Sequence, residues 1–208
     1  LKNAAEIKKH GSIPVIAVGR MLPEISGEAS AENKVDFAAM GRQLLADPEL
    51  PNKLREGKLD QVRPCINCYL CVGENFFDDT PFCAVNPALG NEKLLPLKPA
   101  SASKHIVVVG SGPSGMESAR VLTERGHRVT LIDKADRLGG TMWFSTMTTP
   151  DNERLLRWLK SQLKRLRVAV KLNTPATVET IRALNPDHVI VATGAKPITP
   201  KSIAGTDK

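Results

Sequence analysis

Aromatic side chains are scarce in this chain of 208 residues: they make up 4%, with one tyrosine. Basic clusters such as Lys8-Lys9 and Lys164-Arg165-Arg167 therefore lack the interleaved rings on which single-stranded nucleic acids stack. They read as solvated helix faces despite a net charge of +7, and no nucleic-acid partner is expected. No apolar run approaches the roughly 20 residues that cross a bilayer, and no charged-then-apolar leader opens the chain. A membrane partner is thus not expected, and a cytoplasmic location is. The four histidines (His10, His105, His127 and His188) form no pair at ligand spacing and read as structural. Cysteine is equally sparse: the four residues all fall inside CINCYLCVGENFFDDTPFC, Cys65 to Cys83. Hydrophobic residues at 41% suffice for ordinary cores, so the chain is globular, with room for one large or two small domains.

Patterning divides it into three pieces. Residues 1 to about 62 read as helix, strand, helix, strand, helix. IPVIAVG (Ile13 to Gly19) and VDFAAMG (Val35 to Gly41) are continuous apolar runs of the kind that parallel strands buried on both faces show. Each ends in Gly-Arg, so Gly19-Arg20 and Gly41-Arg42 present close-approach backbone and a guanidinium at one carboxyl edge, an arrangement suited to phosphate. Residues 63 to 100 hold the cysteines and a connector, NPALGNEKLLPLKPASASK, without periodicity. Residues 101 to 208 open with HIVVVGSGPSGMESARVLTERGHRVTLID. Here a strand (Ile106 to Val109) runs into Gly110-x-Gly112-x-x-Gly115, a helix with Met116, Ala119 and Leu122 on one face, and a second strand, Val129 to Ile132, closed by Asp133. The glycines allow the tight turn, the approach of backbone to a pyrophosphate and the helix–strand contact, and the acid can accept ribose hydroxyls. Leu155, Leu156, Leu159, Leu163 and Leu166 form a core stripe after Pro150, and HVIVATGAKP reads as a returning strand. A long excursion of this kind, with Gly139-Gly140 just beyond the acid, has the layout of two-dinucleotide flavoprotein reductases.

The cysteines are spaced Cys65-x2-Cys68-x2-Cys71-x11-Cys83. Disulfides would need an oxidising compartment and would close cramped loops. Structural zinc usually takes two separated knuckles. Three thiols in one turn and a distant fourth favour a cubane [4Fe-4S] cluster over zinc, and such a cluster usually connects two other redox centres.

Together AVGR, MGRQLLADPELPNKLREGK, RPCINCYLC, CAVNP, VVVGSGPSGMESARVLTERGHRVTLIDK, RLGG and VIVATGAKP resemble the NADH:flavin oxidoreductases of the 2,4-dienoyl-CoA reductase and trimethylamine dehydrogenase type, over nearly the whole chain. The resemblance implies an α/β chain: the C-terminal βα units of an FMN-binding TIM barrel (1–62), a [4Fe-4S]-binding segment and linker (63–100), and part of a Rossmann-like FAD- or ADP-binding βαβ domain (101–208). It implies that Gly19, Arg20, Gly41 and Arg42 line the FMN phosphate and that Cys65, Cys68, Cys71 and Cys83 ligate the cluster. It places Gly110, Gly112, Gly115 and Asp133 on the ADP half of FAD, with Ser111, Pro113, Ser114, Lys134, Arg137 and Gly140 lining that site. In the family a hydride passes from NAD(P)H to FAD, single electrons pass through the cluster to FMN, and a hydride passes to an enoyl-type small-molecule substrate. In the amine dehydrogenases the flow reverses. Homo-oligomeric assembly is compatible with the resemblance.

Three departures qualify the match. The first six barrel strands and any second GxGxxG are absent, which makes a fragment of a larger, about threefold heavier polypeptide, inactive alone, the expectation. Asp133 stands where relatives commonly carry Glu. The CxxCxxC run looks like the amine dehydrogenases, whereas the eleven-residue gap, CAVNP and the connector look like the enoyl reductases, the side the balance favours. The competing readings are an amine dehydrogenase, a non-catalytic dinucleotide-binding or electron-transfer module, and an electron-input subunit like the small subunit of glutamate synthase, against which AVGR and MGRQLLADPELPNK argue. Met142, Trp143 and Phe144 are read either as a stack near a flavin or, preferentially, as an apolar turn packed on the domain core.

Overall fold

In a computed structural model that describes residues 1–77, 80–195, 198 and 202, the elements run α1 (Lys2–His10), β1 (Ile16–Val18), α2 (Pro23–Ala31), β2 (Phe37–Ala39), α3 (Arg42–Ala46), α4 (Leu50–Arg55), a 3-10 turn at Leu59–Gln61, α5 (Leu70–Asn75), β3 (His105–Val109), α6 (Pro113–Glu124), β4 (Arg128–Ile132), α7 (Met142–Thr146), α8 (Pro150–Arg165), β5 (Ala169–Lys171), α9 (Val178–Ala183) and β6 (His188–Val191). Parts of two quoted stretches, Asp78-Asp79 in the cysteine segment and Lys196-Pro197 at the end of HVIVATGAKP, lie outside the described residues. Backbone contacts divide the chain into two units, Leu1–Lys98 with Phe144–Gln162, and Pro99–Trp143 with Leu163–Lys208.

In the first unit β1 and β2 pair in parallel, Ile16 opposite Phe37, with α2 as the crossover. Pro23 in the first turn of α2 supplies a φ already suited to a helix start. Asp36 pins the entry to the pair: its carboxylate accepts the Val15 N–H at 2.8 Å and pairs with Lys8. Ala17, Met21, Ala29 and Val35 form the core against these helices. The expectation of strands buried on both faces does not hold. Ile16, Val18 and Phe37 are 61%, 77% and 59% exposed: β1 alternates, with only Ala17 buried, and no residue of β2 is fully buried. The α8 stripe is buried as expected at Leu155, Leu156 and Leu159, joined by Trp158, whose indole N–H donates to Gln61 O at 3.1 Å.

In the second unit four parallel strands stand in the order β5-β4-β3-β6. β3 is central and all five of its residues are buried, the pattern of a strand covered on both faces. Its one polar residue, His105, is satisfied by Thr130 Oγ1 at 2.9 Å, while Asp187 accepts the His105 backbone N–H at 2.6 Å. Met116 and Ala119 of α6 are fully buried, whereas Leu122 is partly buried. No described helix is long and apolar enough to cross a membrane.

Candidate functional site

Each unit carries one candidate site. In the first, the turns leaving β1 and β2 meet across a pocket of about 270 Å³ lined by Gly19, Arg20, Gly41, Arg42, Cys65 and Asn67, among others. The two Gly-Arg pairs, 22 residues apart in sequence, are thus brought to one place, together with the first cysteine. Gly19 (φ 108°) and Arg20 (φ 47°) are both left-handed, a conformation that costs a non-glycine residue energy. Arg42 follows Gly41 at the start of α3, and its Nη1 is buried with no hydrogen-bond partner among the described residues. A buried guanidinium N–H left without an acceptor is costly, and an anionic oxygen in the pocket would satisfy it.

Tyr69 joins the two arginines. Arg20 Nη2 donates to its hydroxyl at 3.2 Å, and the Arg42 guanidinium lies over its ring, 4.3 Å from the centroid. The Arg20 hydrogen bond, with the charges of Arg20 and Arg42, holds the phenol below its ordinary pKa.

The cysteine segment is fastened to the same unit by polar side chains that the sequence did not mark as functional. Gln43, buried, donates to Arg63 O at 2.8 Å and accepts the Cys65 N–H at 2.9 Å. Asp47, also buried, accepts from Arg63 N at 2.7 Å and from Lys53 Nζ at 2.6 Å, and Asn86 Nδ2 donates to Leu45 O at 2.8 Å. From α8, Asp151 accepts from Asn67 Nδ2 at 3.0 Å. All four residues at the near end of this network lie in quoted motifs (Gln43 and Asp47 in MGRQLLADP, Arg63 in RPC, Asn86 in CAVNP), so the signal was present without its mechanism.

All four cysteines are free thiols, with Cys68 exposed and Cys65, Cys71 and Cys83 partly buried. Burial pushes the Cys65 thiol up, against the Asn67 N–H, which donates to its Sγ at 3.4 Å, and the charge of Arg42. Burial also raises Cys71, aided by the charges of Cys83 and Cys68, which act on Cys65 as well, so the four thiols are electrostatic neighbours. Left-handed Asn67 (φ 50°) and Tyr69 (φ 61°) curl the chain between the first three cysteines. Among the described residues no three His, Cys, Asp or Glu side chains are arranged to hold a single metal ion.

In the second unit, the turn from β3 into α6 has two glycines that nothing else could replace. A Cβ on Gly110 (φ 105°) would lie 2.3 Å from Ala192 O, and one on Gly115 would lie 1.8 Å from Gly110 O. At Gly112, by contrast, a Cβ would meet nothing within 4 Å, so the middle glycine faces open space at the start of a 12-residue helix. Pro113 occupies the first turn of that helix, and Ser114 in the same turn is exposed. Asp133 does not stand free. Its Oδ2 accepts from Ser111 N at 2.6 Å and Ser111 Oγ at 2.7 Å, and its Oδ1 accepts from Ala135 N at 2.9 Å. Burial would raise its pKa, yet these donors and Lys134 outweigh it and hold the carboxyl below its ordinary value. The acid is thus tied to the glycine turn by the residue between the first two glycines, with Oδ1 left capacity for a further donor. Lys134, Arg137 and Gly140 are exposed at this end of the sheet, and Arg137 covers the Trp143 ring at 4.0 Å. Phe144 is 61% exposed, so the reading of Met142 to Phe144 as an apolar turn packed on the core does not hold for the whole run, while Trp143 lies against Arg137.

A chain that pairs TIM-barrel-type βα units with a Rossmann-like glycine turn has the build of a dinucleotide-dependent flavoprotein. Residues 2–61 match the model of the NADH:flavin oxidoreductase / NADH oxidase family, and residues 108–160 match that of the NAD(P)-binding Rossmann-like domain. The chain is 45% identical over 208 residues to the cinnamate reductase of Clostridium sporogenes, covering 97% of this chain and 31% of that protein. It is 42% identical over 212 residues to the NADH oxidase of Thermoanaerobacter brockii, covering 99% and 32%. A 2-naphthoyl-CoA reductase in complex with 2-naphthoyl-CoA superposes with a TM-score of 0.92 at 39% identity, over 98% of this chain and 32% of that one. Over nearly its whole length the chain is thus similar to reductases and an NADH oxidase, with residues 2–61 matching the NADH:flavin oxidoreductase / NADH oxidase family. It spans about a third of the length of these relatives.

Proposed function

We propose that this chain is the electron-relay portion of an iron-sulfur flavoprotein that takes reducing equivalents from NAD(P)H and delivers them to an FMN that reduces an enoyl-type C=C bond. The observation that carries this reading is the pocket where Gly19-Arg20, Gly41-Arg42 and Cys65 meet: a basic pocket of about 270 Å³ bordered by a thiol. Arg42 serves both sides of that border. Its Nη1, without a partner among the described residues, suits a phosphate oxygen, and its charge favours thiolate at Cys65 and Cys71.

Cys65, Cys68, Cys71 and Cys83 would hold a [4Fe-4S] cluster, which when bound supplies one-electron transfer between two flavins. A cubane gives each thiolate its own iron atom, so thiols that surround a volume suit it better than thiols that meet at one point. The Asn67 N–H on Cys65 Sγ would offset sulfur charge in the same way. In the second unit Gly112 leaves room for a pyrophosphate against the N-terminal turn of α6, and Asp133 Oδ1 can accept from a ribose hydroxyl, as FAD or ADP would require. The relatives described above are named as reductases and an NADH oxidase, which favours electron flow toward FMN over the amine-dehydrogenase direction.

The phosphate reading is tested by titrating FMN into the chain with ADP held at saturation. Arg42→Ala is expected to weaken FMN at least tenfold, the loss of one or two charge-assisted hydrogen bonds. An unchanged FMN affinity would remove Arg42 from the site.

A further inference from the structure

We infer that Tyr69, lying between the second and third cysteines, is a positioning residue for the phosphate site: one phenol holds both guanidiniums of the pocket in place. This rests on the reading of that pocket as the FMN phosphate site and goes beyond it, since Tyr69 lies outside the two Gly-Arg turns and is not itself part of the pocket wall.

The geometry is specific. Arg20 and Arg42 come from two different strand ends, and each is a long side chain that loses rotamer entropy when fixed. Like charges converging on one pocket also repel, so in the absence of an anion they would be driven apart. Tyr69 opposes this in two different ways. Its oxygen accepts from Arg20 Nη2 at 3.2 Å, and its ring face receives Arg42 at 4.3 Å from the centroid. The ring is placed to do so by the left-handed backbone of Tyr69 itself, φ 61°, immediately before α5. A β-strand end cannot supply such a bridge to its neighbour's arginine without leaving the sheet, whereas a curled loop crossing the carboxyl edge can. The cysteine loop therefore contributes to anion binding through a side chain that touches neither the anion nor a metal. Arg42 illustrates the result: its Nη1 is buried and without a hydrogen-bond partner among the described residues while its guanidinium lies over an aromatic ring. A guanidinium held in that way is oriented before its ligand arrives, and pre-organisation raises affinity by reducing the ordering that binding must accomplish.

The test measures FMN and ADP dissociation constants for the wild type, Tyr69→Phe and Tyr69→Ala, FMN being titrated with ADP saturating. Tyr69→Phe keeps the ring and loses the Arg20 hydrogen bond, so FMN should weaken roughly 3- to 10-fold. Tyr69→Ala also loses the cation–π contact, so FMN should weaken a further few-fold. ADP, bound in the other unit, should stay within about twofold in both variants. If wild type binds FMN and both variants bind it equally well, the positioning role is overturned while the pocket reading stands. If ADP affinity falls in parallel with FMN affinity, Tyr69 is merely structural and the inference is overturned. If wild type itself does not bind FMN, the pocket reading fails and takes the inference with it.

Discussion

Asp133 shows how one residue can be legible in type and not in state. Its position after the second strand marks it as the acid of a dinucleotide fold, and the expectation was a carboxylate waiting for ribose. In the structure three donors already surround it, two from Ser111 and one from Ala135. No spacing rule could foresee that, because it depends on a side chain one methylene shorter than Glu folding back onto its own turn. A pH consequence follows. The folded carboxyl is held below the ordinary value of about 4, so its contribution to stability is present above that value and is lost as pH falls through the lower folded one. Comparing melting temperatures of wild type and Asp133→Asn from pH 7 to pH 3, the variant should melt lower at neutral pH and the gap should close toward pH 3. A gap that persists at pH 3 would show that shape, not charge, holds the turn. That Arg20 and Arg42 would share one place was legible from their positions after strand glycines, and both line one pocket. Tyr69 was not, since nothing in CINCYLC says that its ring lies under an arginine from another motif.

At the scale of elements, the β3–α6 turn was the most readable part of the chain because each glycine answers to a separate steric demand. The demands differ enough to be separated by experiment. Gly115→Ala would set a methyl 1.8 Å from the Gly110 carbonyl, with rigid backbone on both sides, and should lower the melting temperature by about 4 °C or more. Gly112→Ala meets nothing at a φ of −68° that any residue adopts, so it should melt within about 2 °C of wild type. Its methyl would instead occupy the space assigned to the pyrophosphate, and ADP affinity measured by calorimetry should fall at least about tenfold. Equal thermal loss in both variants, or full ADP affinity in Gly112→Ala, would contradict this division of roles. The β1 and β2 runs were legible as parallel strands but misleading about burial. An apolar run reports what a strand's faces tolerate, while the exposure of Ile16, Val18 and Phe37 reports which neighbours those faces have in this chain.

For the whole molecule, contacts group segments that are far apart in sequence: the cysteine segment and Phe144–Gln162 go with the first strands. The leucine stripe of α8 announces a buried face without naming what covers it, which is why Trp158 and its bond to Gln61 O could not be anticipated. The polar network of Gln43, Asp47, Arg63 and Asn86 had the same standing: conspicuous in quoted motifs, mute about purpose until Gln43 was seen to accept the Cys65 N–H. The proposed electron relay rests on the four-thiol segment. Its most direct test is iron, zinc and acid-labile sulfide analysis of the anaerobically purified chain, read with its visible spectrum. The account predicts a brown protein with about four iron atoms and four sulfides per chain. One zinc per chain with neither iron nor sulfide would contradict it.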